Sequence, residues 1–206
     1  MIIHDISVPI SMDMHVFAGD PVPEFKHVKS IDVNGANVSL VSMGTHTGTH
    51  VDPPFHFIQE GIAVDKIDLL NLIGEAKVFE IYGVRKIGIG ELQNLDIEQG
   101  DIVLFKTDNT QLWGKERFCK EFTSLGFDGA QYLVDKGIKA VGIDYLSIEE
   151  YHGGGHVHRL LLGHEIIVIE GLYLNDVKPG KYKFVCLPLK IEKGDGAPAR
   201  AILIEE

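Results

Sequence analysis

The chain has 206 residues, 45% of them hydrophobic, enough for one well-buried core. Its 19 basic and 30 acidic side chains leave a net charge of −11, which disfavours a phosphate backbone or an anionic membrane surface as the main partner and favours small-molecule chemistry. Cys119 and Cys186 are too few for a disulfide framework, the opening MIIHDISVPI lacks the basic and long apolar regions of an export signal, and no run approaches a membrane span; a soluble protein of the reducing cytoplasm is expected.

Strand-like segments dominate in chain order. Residues 2–9 and 37–43 are short, rich in Val and Ile, and bounded by Gly, Asp or Pro. The same holds for 76–82, 101–107, 140–144, 165–170, 182–189 and 200–204, so eight strands are predicted, more than one small sheet needs. Helices are predicted at 89–95, at 128–136, where Ala130, Leu133 and Val134 share a face and Gly137 supplies the stop, and at 157–162. The helix–glycine–strand succession over 127–145 implies that part of the sheet is parallel, hence α/β or α+β. No repeat, low-complexity tract or linker divides residues 1–206, which are read as a single domain. The Gly153-Gly154-Gly155 triplet, directly before a histidine group, reads as a loop at a site.

Between the second and third strands lies His46-Thr47-Gly48-Thr49-His50-Val51-Asp52-Pro53-Pro54-Phe55-His56. Neutral imidazoles and carboxylates are the ligands of hydrolytic zinc and manganese sites, and no turn or cap needs three imidazoles, so the run reads as a metal site. His46 and His50 have the i, i+4 spacing of helical metal sites, but Thr47 stands where such a motif has its glutamate, and Gly48, Pro53 and Pro54 oppose a long helix. A turn or a single helical turn is expected, with Asp52 joining only if the backbone bends sharply. Thr45, Thr47 and Thr49 read as hydroxyls bonding nearby backbone or supporting a ligand. His152, His156 and His164 read as ordinary polar groups, and His4, His15 and His27 have no role. Residues 192–195 read as a solvated turn, and Trp113 as a core or interface aromatic. No GxSxG run signals a serine nucleophile, and no base is placed beside a cysteine.

The run resembles the HxGTHxDxPxH signature of the metal-dependent cyclase family, which includes bacterial kynurenine formamidases and isatin hydrolases. Phe17-Ala18-Gly19-Asp20-Pro21, Gly142-Ile143-Asp144-Tyr145-Leu146-Ser147, His158-Arg159-Leu160-Leu161-Leu162 and Gly196-Ala197-Pro198-Ala199-Arg200 resemble further family elements, so the likeness spans nearly the whole chain. It implies an α/β fold, a single compact domain with a barrel-like mixed β core and a few outer helices. It also implies two divalent metal ions per subunit, zinc or alternatively manganese: His46, His50 and Asp52 on one, and Asp52, His158 and Glu170 on the other. His156 remains the alternative to His158. His56 is implied as general acid/base, and Phe17 takes the place of a substrate-stacking tryptophan. The implied activity is hydrolysis of a small amide by metal-bound hydroxide, most directly an aryl formamide such as N-formylkynurenine of tryptophan catabolism. A cyclic amide of the isatin type, a lactone, or a cyclase or lyase reaction is the alternative. A homodimer or higher homo-oligomer is also implied.

Overall fold

The computed structural model describes residues 1–115 and 117–205. In chain order its elements are β1 (Ile2–Asp5), β2 (Glu24–Lys29), α1 (Ile31–Asn34), β3 (Val38–Ser42), β4 (His50–Asp52), β5 (Ile73–Ile81), β6 (Lys86–Ile87), α2 (Ile89–Leu92), β7 (Ile102–Thr107), β8 (Ser124–Leu125), α3 (Phe127–Lys136), β9 (Ala140–Ile143), α4 (His156–Gly163), β10 (Ile167–Glu170), β11 (Gly180–Pro188) and β12 (Ala197–Glu205).

The order β12-β11-β5-β7-β9-β10-β4 closes on itself through a β4–β12 pairing, and β1 adds to the outside edge of β12. The result is a mixed barrel, as the resemblance implies. In the barrel β5, β7, β9 and β10 run parallel, and its other pairings are antiparallel. β7, β9 and β10 are buried at every position, which explains their unbroken apolar sequences: one face fills the barrel and the other is covered by helices. Ile102, Leu104, Ala140, Ile167 and Ile169 point inward with Val51, Phe184 and Leu203. Val103, Phe105, Val141, Ile143 and Val168 point outward against Leu133 of α3 and Val157 and Leu161 of α4. The interior is tight at Gly142, where a Cβ would lie 2.7 Å from both the Leu104 and Leu172 side chains. β11 and β12 have no helical cover and alternate between buried and accessible positions.

All eight predicted strands and all three predicted helices exist, with shifted ends. The first strand stops at Asp5, and the one expected from 165 begins at Ile167, because Glu165 takes a positive φ of 58° at the exit from α4. One expectation is corrected. The segment bearing His50 and Asp52 is a strand, β4, where a turn or helical turn was expected; its pairing to β10 and β12 comes from residues more than a hundred positions away and outweighs the local prolines. The 37–43 strand stands apart from the barrel: among the described residues β3 pairs only with β2, forming a hairpin whose positions are all accessible.

Candidate active site

β4 owes its chemistry to strand alternation. Val51 faces the barrel interior, so its neighbours His50 and Asp52 face the opposite side. In register with them on β10 stand Glu170, opposite His50, and Val168, opposite Asp52. Two carboxylates and an imidazole therefore meet across one strand pair. His46 precedes β4 on a turn whose Gly48 has φ +67°; the Gly48 carbonyl accepts the Nδ1–H of His50 at 2.8 Å, which turns His50 Nε2 toward the carboxylates. The Thr49 hydroxyl ties this turn down, donating to the Gly171 carbonyl at 2.6 Å and accepting from Val8 N at 2.9 Å, in keeping with its expected backbone-bonding role. α4 delivers His158 to the same place: Nε2 lies 3.0 Å from Glu170 Oε1 and 3.8 Å from Asp52 Oδ2. His156, two residues earlier, lines a different cavity beside Gly126 and Phe127, so only His158 of the two faces the carboxylates.

Asp52 is fully buried and central. His46 Nδ1 lies 2.8 Å from its Oδ1, and His50 Nε2 is 3.4 Å from that oxygen and 3.4 Å from Glu170 Oε2. His56, on the single 3-10 turn Pro54–His56, stacks on the His46 ring at 3.9 Å between centroids. The donor atoms form two triplets, His46 with Asp52 and His56, and His50 with Asp52 and Glu170, each within 4.8 Å. Asp52 is common to both, whereas His50 groups with Glu170 where the resemblance pairs it with His46. His56, expected off the ligand list, stands at liganding distance in the first triplet.

The buried charges explain themselves only as a set. Burial disfavours the charge of Asp52, yet the His46 hydrogen bond and the fields of His50, His46 and His56 hold its pKa well below the ordinary value. Burial opposes protonation of His50 too, but Glu170 and Asp52 prevail and lift it to about 9. His158, pressed the same way by burial, is raised to about 10 by Glu149 and Glu170. His56 goes the other way: burial lowers its pKa and the neighbouring His46 and His158 add to the effect, against the pull of Asp52, so it is neutral at pH 7.

A divalent cation fits this cluster. His46 Nε2, His50 Nε2 and Asp52 Oδ2 are buried with no hydrogen-bond partner, a costly arrangement for three polar atoms of one cluster. The donors are imidazole nitrogens and carboxylate oxygens, the set that zinc and manganese accept. Removing two imidazolium protons and adding one divalent ion leaves the local charge unchanged. A cavity of about 240 Å³ opens onto the cluster, lined by Phe17, Asp20, Phe57, Leu146, Ser147 and the histidines. Phe17 packs against Tyr151 at 5.3 Å and Phe118 at 5.5 Å, so an aromatic wall rises beside the charged floor.

Several neighbours carry no sequence signal. Glu149 hydrogen-bonds His158 Nδ1 at 2.8 Å, and Phe57 stacks on the same ring at 4.7 Å. The 192–195 turn, expected to be merely solvated, reaches the site: Asp195 Oδ2 lies 3.7 Å from His46 Nε2, and a Cβ on Gly196 would come within 2.5 Å of the His46 ring. Trp113 sits beside a buried carboxylate, donating to the Asp144 carbonyl at 3.0 Å, and burial pushes the Asp144 pKa up to about 7.

The Cyclase family model matches residues 4–150. Cyclase-like protein 3 of Arabidopsis thaliana is 37% identical, with 98% of this chain and 79% of that protein aligned. The kynurenine formamidase of Bacillus cereus is 33% identical over 97% of this chain and 95% of its own length. Among solved structures, a potential metal-dependent hydrolase with cyclase activity superposes with a TM-score of 0.87 at 38% identity, covering 99% of this chain and 98% of the other.

Proposed function

Since the chain belongs to the Cyclase family, we propose that it is a metal-dependent hydrolase of the carbon–nitrogen bond of an aryl formamide, with N-formylkynurenine as the substrate that its formamidase relative points to. The observation that carries this reading is the convergence of His46, His50, Asp52, His158 and Glu170 about one buried carboxylate, with neutral His56 at its edge. Those five residues would hold two divalent ions, zinc by the balance of nitrogen and oxygen donors, and Asp52 would face both. When bound, such ions polarise an amide carbonyl and lower the pKa of water from 15.7 toward about 7.

The chain's own groups do the rest. His56 enters the reaction unprotonated and takes a proton from water at its free nitrogen, then returns it to the departing aryl amine, so no covalent enzyme intermediate is required. Phe17 and Phe57 flank the cavity and hold the aryl ring by stacking. Phe17 offers less stacking area than an indole and no N–H donor.

The same reading makes residues 1–206 one catalytic domain acting in the cytoplasm, where the free thiols of Cys119 and Cys186 stay reduced. No helix among the described residues is long and apolar enough to cross a membrane. A homo-oligomer is supported by the β2–β3 hairpin, which carries exposed Phe25, Val28, Leu40 and Val41; an isolated two-stranded hairpin is marginal in water, and a second subunit would cover it.

Metal analysis of the purified protein together with formate release from N-formylkynurenine tests the proposal. His56→Ala is expected to lose about 10²–10⁴-fold in kcat while keeping its metal. A metal-loaded enzyme inert toward aryl formamides would refute the substrate, and full turnover in His56→Ala would refute the role of His56.

A further inference from the structure

Glu149 lies outside every motif that points to the site, and its carboxylate is buried at 4% exposure. It collects four hydrogen bonds. Oε1 accepts from His156 N at 2.9 Å, and Oε2 accepts from Val157 N at 3.1 Å, His158 N at 3.2 Å and the His158 ring Nδ1 at 2.8 Å. Three of these donors are free first-turn amides of α4, which any acidic cap would satisfy. The fourth is the imidazole itself, and a cap has no need of it.

We propose that Glu149 is a positioning residue for the metal site: it keeps the His158 proton on Nδ1, so that Nε2 presents its lone pair toward Asp52 and Glu170. The ring is then fixed in two independent ways, in its plane by Glu149 and across its face by Phe57 stacked at 19°. Gly153 belongs to the same device, because a Cβ at that position would lie 2.3 Å from Glu149 Oε1 and the carboxylate could not stay where it is. This gives the glycine triplet before α4 a packing task at its first position. Carboxylates that orient a liganding histidine in this manner govern affinity by about 10–100-fold.

The inference rests on the metal-site reading of the proposed function, and one titration separates the two. The protein is stripped of metal and titrated with zinc against a chromophoric chelator, as wild type, Glu149→Gln and Gly153→Ala; the visible bands of the cobalt form give a second readout. Wild type is expected to take two ions. In each variant one ion binds about 10–100-fold more weakly, the other is unchanged, and the cobalt bands of the affected ion shift. If Glu149→Gln fails to fold, Gly153→Ala carries the test alone, since it removes no hydrogen-bonding group and acts only by displacing the Glu149 carboxylate. Two ions held as tightly in the variants as in wild type, with an unaltered cobalt spectrum, would reduce Glu149 to a helix cap. An equal loss at both ions would mark general loosening and overturn the inference as well. A wild type that takes no ion would overturn the metal-site reading itself.

Discussion

Stripping the metal and raising the pH should destabilise this protein through two histidines. His50 has its pKa lifted from 6.5 to about 9, and His158 from 6.5 to about 10, each by buried carboxylates that outweigh the cost of burial. A raised folded-state pKa means stabilisation that is complete below pH 6.5 and lost as the pH climbs through 9 to 10. For His50 alone the rise corresponds to about 3 kcal/mol, at about 1.36 kcal/mol per pH unit. His158 shares Glu170 with it, so the two contributions do not add in full. For a chain of this size 3 kcal/mol is a drop of roughly 6–12 °C in Tm. The assay is a set of thermal melts of chelator-treated and zinc-loaded protein between pH 7 and 10. Groups outside the cluster are common to both samples, whereas the loaded sample has already exchanged its imidazolium protons for the ion, so the gap between the two curves isolates the cluster. The gap should widen with pH. Parallel curves, or a stripped protein as stable at pH 10 as at pH 7, would show that these histidines are not held charged by Asp52 and Glu170.

Phe17→Trp should lower KM for an aryl formamide by about two- to tenfold with kcat little changed, because the larger ring adds stacking area at the cavity wall; steady-state kinetics decide, and an unchanged or higher KM would remove Phe17 from the substrate's path. Gly171→Ala should be among the most damaging single-atom changes in the molecule. Its φ is +71°, and the new Cβ would lie 2.1 Å from the Gly48 carbonyl oxygen, forcing apart the end of β10 and the turn that carries His46. Loss of soluble protein, or a Tm lowered by 10 °C or more (roughly 3 kcal/mol), is the expected result of a melt against wild type.

Most of the candidate ligand set was legible because it is local. Four candidate groups crowd into eleven residues, and Glu170 stands out as a lone charge ending an apolar strand, which only a partner could justify burying. Strand identity was legible for the same reason, since β7, β9 and β10 advertise double burial in their composition. What could not be read is whatever depends on distant pairing. β4 is three residues long between a glycine turn and two prolines, and nothing near it says strand; β10 and β12 impose that state. Glu149 is one acid among thirty in the sequence, and only the first turn of α4 folded onto it marks it out. The 192–195 turn has the composition of solvent-exposed chain, and its nearness to His46 arises only from closure of the barrel.

That closure has a consequence for how the protein comes to exist. β4 is the stave that seals the barrel, with Val51 opposite Ile169 on one side and Ala197 on the other. A slip of one residue in either pairing would send Val51 outward and drive His50 and Asp52 into an apolar interior that has no room for charge. On the proposed function a chain emerging from synthesis therefore exposes His46, His50 and Asp52 long before β10 brings Glu170 to them and β12, the last barrel strand in chain order, closes the ring on β4. An ion held there as proposed would therefore depend on the register of β4 against β10, which sets His50 opposite Glu170.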